Sequence, residues 1–157
     1  MSLASEVLDL AKDRGVMIAT AESCTGGMVA AALTDIPGSS AVVDRGFVTY
    51  TNAAKSEMLG VSSAALDAHG AVSEEVAAEM ATGALAHAHA QIAVSITGIA
   101  GPGGSDHKPE GRVCFGIATP HGTRAETVEF GALGRDRVRA AARDHALNLL
   151  KQALHGP

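Results

Sequence analysis

Leu3, Val7, Leu10 and Ala11 recur at helical spacing over residues 3–14, with Ser2 placed to cap the segment and Gly15 to stop it. The period then changes. Val16-Met17-Ile18-Ala19 is a continuous apolar run that predicts a buried strand. Small polar residues follow, Thr20-Ala21-Glu22-Ser23-Cys24-Thr25-Gly26-Gly27, and then Ala- and Leu-rich sequence that predicts a helix from near Thr25 to near Asp35. Pro37-Gly38-Ser39-Ser40 is a turn. Residues 41–50 read as a long strand, kinked or bulged at Gly46. Asn52 is placed to cap a short helix over 53–59, ended by Gly60, and Ser62 or Ser63 opens a further turn through Leu66. Ser73, followed by Glu74 and Glu75, opens a helix to about Ala90.

A third strand is predicted over 92–97, feeding the longest irregular segment, 98–111, which holds five glycines and two prolines. Strands over 112–119 and 124–130 flank the turn Pro120-His121-Gly122-Thr123 as an antiparallel hairpin. A last helix, 135–154, carries Val138, Ala142, Leu147, Leu150 and Leu154 on one side. Helices alternate with strands for two-thirds of the chain before the hairpin. The pattern therefore predicts an α/β fold, a three-layer α/β/α sandwich around a mixed five-stranded sheet, with a hairpin in the C-terminal half and one domain over 1–157. In such sheets ligands sit beyond the carboxyl ends of the strands. The turn at 20–27, the segment after Tyr50 and the Gly-rich loop all leave strands at that end.

Composition narrows the class. With 46% hydrophobic and 18% charged residues the chain has the balance of a globular protein, and with 3% aromatics its core must be built from Ala, Val, Ile and Leu. A net charge of −5, with no stripe of Lys and Arg interleaved with aromatics, argues against nucleic acid as a partner. No apolar run is long enough for a membrane span, and the amino end lacks the pattern of an export signal. Two cysteines, Cys24 and Cys114, are too few for a disulfide scaffold and fit a reducing, cytoplasmic setting. His87 and His89 fall on different faces of a helix, and no metal or other cofactor is predicted.

Ser23 is a candidate nucleophile at the strand-to-helix turn, where free N–H groups and a helix dipole favour a developing oxyanion. Capping alone would also explain a Ser or Thr there. A serine hydroxyl needs a base, and the nearest candidate is Lys55, provided that burial or neighbouring positive charge lowers its pKa. Tyr50, the only tyrosine, stands one turn before Lys55 and could relay a proton or hold the amine. The plainer reading makes Tyr50 the end of a core strand and Lys55 a solvated helix residue. Cys24 is a rival nucleophile without a histidine partner, and Glu22 a candidate base, ligand contact or partner for Lys55. Thr25, Gly26 and Gly27 could offer N–H groups to an oxyanion. Gly98, Ala100, Gly101, Gly103 and Gly104 have the composition of an anion cradle, and Thr97 could donate to a substrate amide. Of Arg135, Arg137 and Arg139, alternate members could meet a phosphate, with Arg135 and Arg139 the candidates.

Four stretches occur together: Ala21-Glu22-Ser23-Cys24-Thr25-Gly26-Gly27, Thr49-Tyr50-Thr51-Asn52-Ala53-Ala54-Lys55, Gly70-Ala71-Val72-Ser73 and Thr97-Gly98-Ile99-Ala100-Gly101-Pro102-Gly103-Gly104. In this order and spacing they resemble the CinA carboxyl-terminal domain family, the nicotinamide-nucleotide amidohydrolases, along essentially the whole chain. The resemblance implies a three-layer α/β/α fold and hydrolysis of the carboxamide of nicotinamide mononucleotide to nicotinate mononucleotide and ammonia, in NAD recycling. It carries the family's serine, tyrosine and lysine onto Ser23, Tyr50 and Lys55. The partners it implies are a small-molecule nucleotide substrate and, as a homodimer, a second copy of the chain, with no nucleic acid and no membrane. Thr51 and the segment 105–111 depart from the family pattern. The competing reading is a nucleotide-binding or sensing module without turnover.

Overall fold

The structure, a computed structural model, describes residues 2–156. Five strands form one mixed sheet in the order β2-β1-β3-β4-β5. They are β1 (Ile18–Glu22), β2 (Val43–Val48), β3 (Ile92–Gly98), β4 (Arg112–Thr119) and β5 (Gly122–Glu129). β2, β1 and β3 run parallel, and β4 and β5 pair antiparallel as the predicted hairpin. The helices are α1 (Leu3–Arg14), α2 (Met28–Thr34), α3 (Asn52–Leu59), α4 (Ser63–His69), α5 (Glu74–Ala86) and α6 (Arg135–His155).

Alternation along the central strands assigns the two faces. Ile18, Ile92, Val94, Ile96, Val113, Phe115 and Ile117 pack with residues of α1, α2 and α6. Ala19, Ala21 and Ala93 face the other way, onto α5 and the α3–α4 region. The second face is lined by small residues, so α5 lies close to the sheet. A Cβ at Gly116 would stand 2.5 Å from the carbonyl oxygen of Ala77, and the hydroxyl of Ser95 donates to that same carbonyl at 2.6 Å. No helix among the described residues is long and apolar enough to cross a membrane.

Several boundaries differ from the sequence pattern, each for a local reason. The first strand runs over 18–22 rather than 16–19, because Thr20 and Glu22, read as turn residues, are buried in the middle of the sheet. α2 accordingly starts at Met28, not near Thr25, and residues 23–27 form an extended turn with Gly26 and Gly27 at positive φ. The irregularity in β2 lies opposite the Ile18–Ala19 step, where Val43 and Arg45 are the paired residues, and not at Gly46. Thr51, not Asn52, caps α3, its hydroxyl accepting from the N–H of Ala54 at 3.0 Å. α5 stops at Ala86, where His87 folds its imidazole back onto the carbonyl of Gly83 at 2.7 Å.

Candidate active site

Parallel pairing places the ends of β1 and β2 side by side. Glu22 is opposite Val48, and the ladder continues one step further as the N–H of Thr49 donates to the carbonyl of Glu22 at 2.8 Å. Ser23 and Thr49 therefore leave the sheet as neighbours. The chain after Thr49 turns at once into α3, whose first turn carries Lys55 back over the strand ends.

Lys55 is among the largest fully buried side chains in the molecule, with 1% of its surface exposed. Its Nζ lies 2.9 Å from Ser23 Oγ, 3.0 Å from the carbonyl oxygen of Thr49 and 3.3 Å from that of Tyr50. No carboxylate among the described residues pairs with it. Burial is what lowers its pKa below the ordinary lysine value, because the ammonium has lost water and gained no anion. A charged thiolate at Cys24 would oppose that shift. Burial, however, raises the Cys24 thiol to about 11, so it stays protonated at neutral pH.

The surrounding acceptors determine what the amine can do. Carbonyl oxygens only accept, so a neutral Lys55 must spend its two N–H bonds on Thr49 and Tyr50. Its lone pair then faces the one remaining partner, the hydroxyl of Ser23, which can donate to it.

A cavity of about 320 Å³ opens over this pair. Ser23, Cys24, Tyr50, Lys55, Thr97, Gly98, Ala100, Gly101, Gly103, Gly104 and Arg135 line it, and Asn52, Ala71, Val72 and Asp106 contribute to its walls. A larger cavity, about 690 Å³, lies at the opposite end of the sheet beside Arg14, Ile92 and Thr119. No Ser–Lys pair stands there; the Ser23–Lys55 pair is at the smaller one.

Other candidates fall elsewhere than the sequence suggests. Glu22 is 1% exposed and does not reach the cavity. Its carboxylate instead accepts from the hydroxyl of Thr25 at 2.6 Å and from the N–H groups of Gly27, Val29 and Ala30 at 3.2, 3.0 and 3.0 Å. It replaces the side-chain cap that Gly27 cannot provide to α2. These bonds use up the hydroxyl of Thr25 and the N–H of Gly27, and the N–H of Gly26 donates to the carbonyl of Ser23 at 3.0 Å. Neither glycine can therefore hold an oxyanion through its N–H. The N–H of Cys24, a residue of the cavity wall, donates to no other residue among those described.

Thr97 lines the cavity, yet its hydroxyl is already given to the carbonyl of Ala71 at 2.8 Å. Arg139 turns away from the cavity and braces the turn after Ser23, with Nε 3.0 Å from the carbonyl oxygen of Cys24 and Nη2 3.5 Å from that of Thr25. Arg135 does reach the mouth. Its Nη1 donates to the carbonyl of Gly101 at 2.7 Å and its Nη2 to the phenol oxygen of Tyr50 at 2.6 Å. That phenol is at the rim, 57% of the residue being exposed, so Tyr50 meets Lys55 through its carbonyl and not through its hydroxyl. In the loop, the N–H groups of Ala100, Gly101 and Gly104 have no protein acceptor among the described residues.

Comparison with known proteins settles the relationship. The CinA C-terminal domain profile matches residues 1–154. The chain belongs to the CinA C-terminal domain family. The nicotinamide-nucleotide amidohydrolase PncC of Escherichia coli K12 is 53% identical over 153 residues, covering 97% of this chain and 93% of that protein. A CinA-like protein of Chloroherpeton thalassium is 52% identical over 163 residues, covering 99% of this chain but only 38% of that longer protein. The crystal structure of the competence/damage inducible protein CihA from Agrobacterium tumefaciens superposes with a TM-score of 0.93 at 49% identity, covering 98% of this chain and 94% of that one. The mixed five-stranded α/β architecture is thus that of the CinA family.

Proposed function

We propose that this CinA-family chain is a nicotinamide-nucleotide amidohydrolase that uses Ser23 as nucleophile and Lys55 as general base. The relative from E. coli K12 that carries that activity in its name matches almost end to end. The observation that carries the mechanism is the buried Lys55 amine, held by two carbonyls so that its lone pair has only the Ser23 hydroxyl to face.

The steps balance as follows. Lys55 Nζ takes the proton of Ser23 as Oγ bonds to the carboxamide carbon. The carbonyl oxygen becomes an oxyanion, received by the N–H of Cys24, the residue after the nucleophile. As the intermediate collapses, the Lys55 ammonium returns its proton to the departing nitrogen, and ammonia leaves. Water then attacks the acyl-enzyme, giving its proton to Lys55, and the proton passes to Ser23 Oγ as the carboxylate product separates. The nucleotide phosphate is met by the guanidinium of Arg135, which has no carboxylate partner among the described residues, and by the unpaired N–H groups of the loop. Tyr50 holds the amine through its carbonyl and Arg135 through its phenol.

Ammonia release from nicotinamide mononucleotide tests this. The wild-type protein should release one ammonia per nicotinate mononucleotide formed. Ser23→Ala and Lys55→Ala should each lose about 10³-fold or more in kcat while still binding the nucleotide. Equal silence from all three, with binding retained, would instead make the chain a nucleotide-binding module.

A further inference from the structure

Glu110 stands in the segment after the glycines, outside the cavity lining, and its two oxygens reach two different segments, the Gly-rich loop and the start of α6. Oε1 accepts from the N–H of Gly103 at 2.7 Å, in the Gly-rich loop. Oε2 accepts from the N–H of Gly134 at 2.9 Å, the capping residue of α6 and the one immediately before Arg135. That N–H is otherwise an orphan donor at the positive end of a 21-residue helix, where a carboxylate is favoured. No side chain of Gly134 could serve the purpose.

The loop is folded onto this carboxylate. A Cβ at Gly101, whose φ is +92°, would lie 2.5 Å from the carboxyl carbon of Glu110. The carbonyl of the same Gly101 takes the Nη1 of Arg135. Two ties therefore join the loop to the start of α6: Gly101 to Arg135 directly, and Gly103 to Gly134 through Glu110. The far side of the loop is held separately, by Lys108, whose ammonium donates to the carbonyls of His69 and Val72 at 2.7 and 2.5 Å. With both oxygens given to backbone N–H groups, Glu110 forms no ion pair with Arg135, and the guanidinium keeps its charge for a ligand.

We propose that Glu110 is a positioning residue that fixes Arg135 against the glycine loop and so sets recognition of the substrate's phosphate. This rests on the amidohydrolase reading, in which Arg135 meets that phosphate. Glu110 touches neither the reacting atoms nor the ligand. Its effect should appear in the binding of phosphorylated substrates and not in the chemical step. An amide at this position can accept only through its single oxygen, so Glu110→Gln keeps one tie, and Glu110→Ala keeps neither.

The test compares nicotinamide mononucleotide with the same nucleoside lacking its phosphate, for wild type, Glu110→Ala, Glu110→Gln, Arg135→Ala and the Glu110→Ala/Arg135→Ala double variant. Glu110→Ala should raise KM for the nucleotide about tenfold, a misplaced charged contact, while kcat stays within about threefold and the nucleoside reacts as in wild type. Glu110→Gln should fall between. The double variant should be no worse than Arg135→Ala, because Glu110 acts through Arg135. Equal losses for nucleotide and nucleoside, additive losses in the double variant, or no loss would overturn the proposal. Amide hydrogen exchange gives a readout independent of turnover: Glu110→Ala should speed exchange in both 98–111 and 131–138. Failure of wild type to hydrolyse either substrate would sink the amidohydrolase reading alone, whereas unchanged exchange in either segment would sink the role of Glu110.

Discussion

The amine of Lys55 stands 2.9 Å from the hydroxyl of Ser23, a contact between residues 32 apart in the chain. The sheet makes it. Register between β1 and β2 sets Ser23 beside Thr49, and α3 begins so soon afterwards that its first turn must fold Lys55 over both strand ends. The carbonyls of Thr49 and Tyr50 then fix the direction of the amine's remaining lone pair.

If that lone pair is the base, its charge state governs turnover. Lys55→Arg keeps a cation but cannot be deprotonated, and Lys55→Met keeps the bulk without the nitrogen. Both should lower kcat/KM for nicotinamide mononucleotide by about 10³-fold. For the wild type, kcat/KM should rise with pH to a plateau, the inflection lying below the ordinary lysine value of 10.5. The residual activity of Lys55→Met should lack that ascending limb. A wild-type profile with no ascending limb at any pH at which the protein stays folded, or an active arginine variant, would assign the proton transfer to another group.

The same lowered pKa has a consequence for stability. Between the folded-state pKa and the unfolded value near 10.5, the unfolded chain binds the proton at Lys55 and the folded chain does not. More protons on the unfolded state mean that the free energy of unfolding increases with pH across this window, by at most about 1.4 kcal/mol per pH unit for one group. Above 10.5 the increment is complete. Urea titrations of wild type and Lys55→Met over this range should show the rise in the difference between them. A difference that stays constant with pH would place the same proton on lysine in both states.

The layers, the mixed five-stranded sheet and its hairpin followed from hydrophobic spacing because the core-forming positions are apolar and regular, whereas the order of the strands came only with the structure. The edges of the elements around the site were harder to read, for one physical reason: polar residues there are buried inside the protein, as apolar residues ordinarily are. Thr20 and Glu22 look like a turn in sequence but belong to β1, and nothing in residue type announces that a carboxylate will cap α2. Ser23, Lys55 and the glycine loop carried enough signal to be grouped. Arg139 and Glu110 did not disclose their roles, since each acts on carbonyl or N–H groups that every sequence possesses. Residue type draws attention to the phenol of Tyr50, yet it is its carbonyl that meets Lys55.

Cys24 adjoins Ser23 and lines the cavity, which invites its assignment as a reactive thiol. Burial argues the reverse. With 5% exposure and a pKa of about 11, it carries almost no thiolate at neutral pH. Iodoacetamide at pH 7 should leave Cys24 unmodified by peptide mass analysis and should leave ammonia release intact, with reaction appearing only under denaturing conditions. Rapid labelling of the native protein with parallel loss of turnover would make the thiol a participant.

Glu22 should matter for stability first and for catalysis only through Ser23. Its carboxylate satisfies one hydroxyl and three N–H groups inside the protein, all of them donors. Glu22→Gln preserves shape but replaces one accepting oxygen with an NH₂ that faces a donor, leaving at least one buried N–H unsatisfied. The loss should be about 2–4 kcal/mol in unfolding free energy, read from urea or thermal denaturation. Because the turn it holds begins at the next residue, the folded fraction of the variant should also show a lower kcat, with the pH inflection assigned to Lys55 still present. A variant as stable as wild type would mean that the turn is held by Arg139 and the sheet alone. A variant that keeps its stability but loses the pH inflection would make Glu22 part of the proton path.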